Sequence, residues 1–298
     1  MAANLKEVRN RIKSVMSTQQ ITKAMKMVSA AKLRRAQTAI QQLRPYAQRL
    51  NVTLSHILSG GDGGSGTSFG KETLKQRPLL VIITSDRGLC GAFNSNILKL
   101  AASHIRQHYG EQAAAGRLNF LCIGRKGNEY FKRRFPNAKF VNRYVSLYSH
   151  ADFGSVAALA NELMNEFKDG AYDQIELYYS RFKNAGTQFP EREQYLPVAK
   201  INNPEKTAST MRADYIFEPN QQQLLEELIP SILQTQLFKC LLDTQASEHG
   251  ARMTAMDKAS ENAEEMLGEL RINYNKARQE AITKELSEIV GGAAALEG

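Results

Sequence analysis

The segment SDRGLCGAFNSN, residues 85–96, contains the residues of this sequence best suited to do chemistry. It overlaps the end of an apolar run that predicts a buried strand and precedes a helical pattern, so Gly88 and Gly91 should lie in a strand-to-helix turn. A dinucleotide-binding loop at such a turn needs a third glycine and an acidic residue about twenty positions further on. Two glycines do not complete this motif, and nucleotide binding is not the favoured interpretation.

Cys90 lies in the same turn, close to the predicted start of a helix. A thiol near a helix N-terminus can have a lowered pKa and act as a nucleophile. The alternative is a small side chain packed in a tight turn, which we favour because no acid–base partner can be assigned. The five histidines are scattered, and the sequence shows no carboxylate pair, metal-ligand motif or catalytic triad. It therefore predicts no catalytic residue, cofactor or metal.

The composition is that of a globular protein with a sizeable core: 298 residues, 42% hydrophobic and 23% charged. No apolar run approaches the roughly 18 residues of a membrane span. Cys90, Cys122 and Cys240 are far apart and lack metal-ligand spacing, which predicts a reduced, cytosol-like compartment. The N-terminus lacks the apolar core of a secretory signal.

The net charge of +9 is concentrated at one end of the chain. Residues 1–50 carry eleven Lys and Arg and a single acid, Glu7, while the remainder holds 28 basic and 29 acidic residues. A solvated helix face is one explanation for this charge. An acidic partner is the better one, because a merely solvated helix rarely carries charge of one sign only.

The basic segment predicts one long helix, with neither glycine nor proline before Pro45. Stepping alternately by three and four, as in a left-handed coiled coil, gives Leu5, Val8, Ile12 and Val15, then Gln19, Thr22, Lys26 and Ser29, then Leu33, Ala36 and Ile40. Beside the polar part of this seam, Ile21, Met25 and Val28 each stand one position early. One residue turns a helix by about 100°, so this apolar stripe should face away from the partner helix. Pro45 should kink or briefly interrupt the helix.

The partner helix is predicted at the other end of the chain, over about 221–290, with only Pro230, Gly250 and Gly268 to disturb it. Its seam at the same spacing is apolar and rich in small residues: Ala246, His249, Met253, Met256, Ser260, Ala263, Leu267, Leu270, Tyr274, Ala277 and Ala281. Long helices at both ends of a folded segment predict an antiparallel coiled coil on a globular base. An ordinary bundle is less well supported, because no third or fourth long helix is predicted.

The middle of the chain alternates predicted strands and helices, which indicates a mainly parallel sheet covered by helices. The strands are LLVIITSD, LNFLCIG, KFVNRYV, QIELYYSRF and QYLPVA, and the helices cover 92–108, 126–134 and 152–168. The segment GGDGGSGTS is a linker and not a phosphate loop, since no strand precedes it and no Lys-Ser/Thr follows. The predicted divisions are a coiled-coil helix over 1–58, a flexible linker over 59–76, an α/β domain over 77–210 and a second coiled-coil helix over 211–298.

The C-terminal segment YNKARQEAITKELSEIVGGAAAL, residues 274–296, resembles the signature of the gamma subunits of F-type ATP synthases of the bacterial type. The N-terminal LKEVRNRIKSVMSTQQITKAMKMVSAAKLRRAQ and the central SDRGLCGAFN are similar to the same family, in the same order. The resemblance therefore covers both long helices and the domain between them. The regulatory cysteine pair of the plastid members is not visible, so redox gating is not implied.

The resemblance implies a central-stalk rotor subunit. Its antiparallel coiled coil would turn inside a ring of three alpha and three beta subunits, with a Rossmann-like α/β foot near the epsilon subunit and the membrane rotor ring of c subunits. Rotation would shift each beta subunit between open and closed states, coupling proton- or ion-driven rotation to ATP synthesis or hydrolysis. The subunit itself would hold no catalytic residue and no cofactor. Its expected location is peripheral, at the cytoplasmic face of the bacterial inner membrane.

The resemblance also assigns contact residues by position. Met25 and Lys26 would meet acidic lever loops of the beta subunits, as would the turn that carries Arg87 and Cys90. Loops of the ring nearer its bearing would be contacted by a further set: Arg252, Arg278, Gln279, Thr283, Glu285 and Glu288. In the foot, Phe217 and Glu218 would contact the rotor ring or the epsilon subunit.

Two other classes of function compete with this interpretation. A basic coiled coil could be a nucleic-acid-binding or purely structural protein, but no nucleic-acid-binding module or regular aromatic interleaving is present. An enzyme with Cys90 as its nucleophile would need an acid–base partner that the sequence does not supply. Both are disfavoured once the C-terminal segment is counted.

Overall fold

The computed structural model describes residues 5–59, 77–198 and 221–296. Its elements, in chain order, are α1 (Leu5–Ser59), β1 (Pro78–Ile83), α2 (Phe93–His108), α3 (Gly110–Ala114), β2 (Asn119–Ile123), α4 (Arg125–Arg134), β3 (Lys139–Val141), a 3-10 helix (Val145–His150), α5 (Phe153–Lys168), β4 (Gln174–Asn184), β5 (Thr187–Leu196) and α6 (Gln221–Leu296). They form two compact units, one within Met1–Ala30 and Arg252–Gly298 and one within Ala31–Ala251.

The first unit, here called the helix pair, consists of the start of α1 and the C-terminal part of α6. Three side-chain contacts join the helices: Arg9–Tyr274 at 2.9 Å, Thr22–Ser260 at 2.7 Å and Lys26–Asp257 at 2.5 Å. The residue number rises along α1 as it falls along α6, so the helices are antiparallel, as predicted.

Burial in the helix pair confirms the predicted seam as far as Ala277, including its polar part, but the last predicted seam residue, Ala281, is exposed. Val8, Thr22 and Ser29 are buried on α1. On α6 the buried seam residues are Met256, Ser260, Ala263, Leu267 and Leu270. Two residues of the apolar stripe face solvent instead, Ile21 at 60% and Val28 at 57% exposed, while Met25 is half-buried. The one-residue offset read from the sequence therefore does turn Ile21 and Val28 away from the partner helix.

The second unit, here called the α/β unit, is built on a five-stranded sheet with strand order β3-β2-β1-β4-β5. The first four strands pair in parallel and β5 pairs antiparallel with β4, which confirms a mainly parallel sheet. All six residues of the central strand β1 are buried, because helices cover both of its faces. Its side chains alternate between two cores on opposite faces of the sheet. Leu79 and Val81 pack with α5 and α6, whereas Leu80 and Ile82 pack with α2 and α4.

Several predicted boundaries need correction. The helix α1 continues through Pro45 to Ser59, so the predicted interruption does not occur. Pro45 is exposed, and water can therefore bond the carbonyl that loses its helical N–H partner. The strand predicted as KFVNRYV stops at Val141, because the chain then forms a 3-10 helix. Strand β5 starts at Thr187, well before the predicted QYLPVA.

Other predictions fall wholly or partly outside the described residues. These are the linker beyond Ser59 and the boundary at 210/211 between the α/β domain and the second coiled-coil helix. Within the described residues, no helix combines the length and the apolar character needed to cross a membrane.

Candidate functional site

The residues predicted to contact a partner near the middle of the helix pair lie side by side on α1. Met25 is half-buried, while Lys26 is in contact with Asp257 of α6 across the seam. The two charged side chains are 42% and 45% exposed, so the ion pair remains accessible to a second partner. Exposed Lys23, Ile21 and Val28 flank it and give this part of α1 a mixed apolar and basic outer surface.

The predicted contact residues at the C-terminal end of α6 are all exposed. They are Arg278, Gln279, Thr283, Glu285 and Glu288. The register of the helix pair places Arg278 opposite Leu5, the first described residue of α1. This group therefore begins about 30 Å along the helix pair from Met25 and ends about 45 Å from it.

Large apolar side chains accompany that C-terminal group. Ile282, Leu286, Ile289 and Val290 are 48%, 57%, 68% and 65% exposed. A single exposed apolar residue needs no explanation, but four within nine positions form a surface suited to a protein partner. Among the described residues, the helix seam ends at Ala277, so no seam partner covers this stretch.

Residues 85–91, here called the β1–α2 turn, hold the other predicted contact residues, Arg87 and Cys90. Arg87 is exposed, whereas Cys90 is 1% exposed and packs with the core beneath α2. The Asn94 amide nitrogen lies 3.2 Å from the Cys90 sulfur and donates to the Ser85 hydroxyl at 2.7 Å. Cys90 thus has the packed position that we favoured over a nucleophile.

The same turn contains a residue that sequence reasoning missed. Leu89 has a φ of 63°, the only described non-glycine residue with a positive φ, and its side chain is 68% exposed. For a leucine this left-handed conformation costs about 1–2 kcal/mol, because the side chain crowds the following carbonyl. The flanking glycines signal a tight turn in the sequence, but nothing in it shows that leucine takes the strained position.

The remaining predicted contact residues are either largely buried or outside the described residues. Arg252 is only 9% exposed, so little of its side chain is available to a partner. Phe217 and Glu218 lie outside the described residues. The other two thiols are buried, and burial raises the pKa of Cys122 to about 12 and that of Cys240 well above its ordinary value.

A partly buried polar cluster joins residues that the sequence keeps far apart. Arg192 on β5 approaches His104 on α2 at 2.7 Å and Glu176 on β4 at 3.1 Å. Tyr178 donates to Glu176 at 2.5 Å and lies 2.8 Å from His104. A neutral His104 that accepts from Arg192 and donates to Tyr178 satisfies every bond. Burial and the Glu176 carboxylate both raise the pKa of Tyr178, which keeps its proton on the phenol. The cluster ties β4 to its neighbours and is structural.

Comparison with known proteins agrees with this geometry. A family model described as ATP synthase matches residues 4–296. The ATP synthase gamma chain of Cytophaga hutchinsonii is 49% identical over 98% of this chain and 99% of its own length. The gamma chain of Flavobacterium johnsoniae is 48% identical over 99% of this chain and 100% of its own length.

Solved structures give the same result. The central stalk and c-ring structure of Tetrahymena thermophila mitochondrial ATP synthase contains a chain 28% identical to this one, with a TM-score of 0.56, covering 80% of this chain and 99% of that one. A chain of Euglena gracilis mitochondrial ATP synthase has a TM-score of 0.66 at 20% identity, covering 98% of this chain and 94% of that one, and shows the likeness of fold.

The antiparallel helix pair and the five-stranded α/β unit thus define a protein of the ATP synthase central-stalk class. The chain belongs to the ATP synthase gamma chain family, and its role is that of the central stalk.

Proposed function

We propose that this chain is the rotor that couples proton- or ion-driven rotation to ATP synthesis or hydrolysis in a ring of alpha and beta subunits. The exposed charges of the helix pair differ between its two helices, with Lys23 on α1 and Glu261 and Glu264 on α6. Each orientation would therefore present different side chains to a given beta subunit. A ligand or partner shifts a conformational equilibrium only through contacts that differ between the states. Unequal contacts would therefore bias each beta subunit between open and closed forms in turn, with no catalytic residue on the rotor.

The observation that carries this proposal is the uncovered apolar surface at the C-terminal end of α6. Four apolar residues of this stretch are between 48% and 68% exposed, and they lie beyond Ala277, where the seam ends among the described residues: Ile282, Leu286, Ile289 and Val290. Apolar side chains lack directional bonds, which suits a surface that must turn against its surroundings. The polar residues between them, Arg278 to Glu288, would meet the adjoining loops of the ring.

Along the helix pair, the basic and apolar outer surface around Met25 and Lys26 would meet acidic loops of the beta subunits. Arg87 in the β1–α2 turn would contribute a similar contact. The epsilon subunit and the ring of c subunits are the further partners we propose, with Phe217 and Glu218 as candidate contacts. Such an assembly would hold the chain peripherally at the cytoplasmic face of the bacterial inner membrane.

Reconstitution tests the proposal directly. The purified chain should neither hydrolyse ATP nor bind nucleotide stoichiometrically by calorimetry. Mixed with alpha and beta subunits, it should form a complex that supports sustained ATP turnover, while alpha and beta alone should not sustain it. Failure to form that complex, or stoichiometric nucleotide binding by the isolated chain, would refute the proposal.

A further inference from the structure

We propose that polar contacts hold α6 in one rotational position within the α/β unit, and that torque passes between this unit and α6 through them. The contacts, here called the α6 clamp, join Ser180 of β4 and Tyr148 of the 3-10 helix to three residues of α6: Gln245, Ser247 and Glu248. The inference rests on the proposed function, and it names the residues that such a rotor would use to turn α6.

The α6 clamp lies at the carboxyl edge of the parallel strands. Ser180 follows the stretch of β4 that pairs with β1, which ends at Tyr178. The 3-10 helix that carries Tyr148 is bonded to the end of β2, because the Gly124 amide donates to the Val145 carbonyl at 3.0 Å. In open α/β sheets the crevice at this edge is the usual place for a ligand. In this chain Ser180 and Tyr148 contact α6 there.

The clamp contacts α6 from two directions. On one side the Ser247 hydroxyl donates to the Ser180 carbonyl at 3.1 Å. On the other side Tyr148 donates to the Glu248 carboxylate at 2.5 Å, and the Gln245 amide donates to the Tyr148 carbonyl at 2.9 Å. Ser247 and Glu248 are consecutive, so their side chains lie about 100° apart around the helix. Restraints separated in this way oppose rotation of α6 about its axis in both directions.

The buried residues of α6 change in character where the clamp lies. Earlier in the helix they include Leu233, Leu237 and Leu241, whereas in the clamp Ser247 is fully buried and Glu248 is 5% exposed. A buried hydrogen bond contributes less to stability than a buried aliphatic side chain does. Stability alone would therefore favour apolar residues here. Hydrogen bonds are directional, however, and a satisfied buried network specifies one arrangement of the elements it joins.

The clamp is also close to the point where α6 leaves the α/β unit. That unit ends on α6 at Ala251, three residues beyond Glu248. Between them, Gly250 approaches the β4–β5 hairpin so closely that an added Cβ would lie 3.1 Å from the Cα of Ala185. Torque applied to the α/β unit would therefore reach the rest of α6 through the last contacts that the helix makes in this unit.

A double variant separates angular restraint from stability. Tyr148→Phe with Glu248→Met replaces both partners of one bond by apolar side chains of similar size, so the melting temperature should stay close to that of the wild type. Spin labels at Glu111→Cys and Glu261→Cys, both exposed, report the angle of α6 in the isolated chain, since the native thiols are buried. The variance of the distance between the labels should rise about twofold, because one of two similar restraints is lost.

Three further variants complete this test. Glu248→Gln keeps an acceptor for Tyr148 and should give the wild-type variance. Tyr144→Phe with Glu162→Met removes another Tyr–Glu bond of the α/β unit, one that joins Tyr144 to α5, and should also give the wild-type variance. Ser247→Ala releases the other side of α6 with a good helix former, and should broaden the distances even if the double variant does not fold. Wild-type variance in Ser247→Ala and in the double variant would overturn the inference.

The complex with alpha and beta subunits tests whether the clamp bears torque. With the ring fixed and a probe on Glu111→Cys, the angular fluctuation of the α/β unit in a stalled complex measures torsional stiffness. Stiffness should fall in Tyr148→Phe with Glu248→Met, and unchanged stiffness would overturn the torque-bearing role. If the wild type fails to assemble, the proposed function fails and that role fails with it. The label distances in the isolated chain still decide whether the clamp fixes α6.

Discussion

Two glycines in the same helix should respond in opposite ways to one added methyl group. At Gly250 a Cβ would lie 3.1 Å from the Cα of Ala185 and 3.2 Å from its carbonyl oxygen. At Gly268 a Cβ would meet nothing within 4 Å. Gly250→Ala and Gly268→Ala thus change the same residue type on α6 in crowded and in open surroundings.

The expected free energies follow from two opposing effects. Replacing glycine by alanine within a helix stabilises it by about 1 kcal/mol. Gly268→Ala should show this gain in full, since its methyl group meets open space. At Gly250 the methyl group presses on backbone, which cannot rotate aside, and overpacking of this kind costs about 1–3 kcal/mol. Gly250→Ala should therefore be neutral or destabilising by up to about 2 kcal/mol, a difference of about 1–3 kcal/mol between the variants.

Urea unfolding of the full chain, followed by circular dichroism at 222 nm, measures the overall effect. Hydrogen exchange of α6 amides around each substitution gives the local free energy of opening, which matters because the glycines lie in different units. Equal stabilisation of both sites would show that α6 and the β4–β5 hairpin do not approach as closely at Gly250 as described, and the reasoning would be refuted.

The remaining predictions concern burial and charge. Leu267→Asp should destabilise the chain by about 3 kcal/mol or more, because it leaves an unpaired charge in the seam. The control Glu265→Gln changes an exposed residue and should have almost no effect on melting. Equal melting losses in the two variants would contradict the heptad assignment. Burial raises the pKa of Asp243 to about 6. The folded state therefore binds the proton more tightly than the unfolded state. The free energy of unfolding of the wild type, relative to Asp243→Asn, should rise by on the order of 2–3 kcal/mol as pH falls from 7 to 4. A difference between the two proteins that does not change with pH would contradict this. When Gln replaces four basic residues together, Lys23, Lys26, Arg34 and Arg35, stability should fall by no more than about 1 kcal/mol, the value of the lost Lys26–Asp257 ion pair. Association with alpha–beta complexes should slow and lose salt dependence. If only binding to duplex DNA is lost, the nucleic-acid alternative gains.

The helix pair could be read from the sequence because its seam obeys a local rule. Alternate spacing by three and four places residues on one helix face whatever surrounds it, so even polar Thr22 and Ser29 were assigned to the seam. The central strand was equally clear, since six consecutive buried residues in β1 leave an unbroken apolar run. Strand β5 was recognised only near its end, because exposed and half-buried residues alternate along most of its length.

The features that escaped sequence reasoning depend on tertiary structure. His104, Glu176 and Arg192 meet because β4 lies beside β1 and β5 beside β4, a strand order that spacing along the chain does not reveal. Burial of Cys90 and exposure of Leu89 depend on backbone angles within a tight turn. The two residues are adjacent and both apolar, so composition gives no reason to choose between them.

The polar part of the seam has a physical explanation in the helix geometry. A side chain in the seam cannot also face outward. Because Ile21 and Val28 are turned by about 100° from the seam, the seam positions beside them are occupied by polar residues. Thr22–Ser260 and Lys26–Asp257 then hold the helices together there, at 2.7 and 2.5 Å. Such contacts are each worth about 1 kcal/mol, less than the 1.5–3 kcal/mol of a fully buried aliphatic side chain. The helix pair is therefore weakest where Ile21 and Val28 are offered to solvent, and this loss is offset only if a partner covers them.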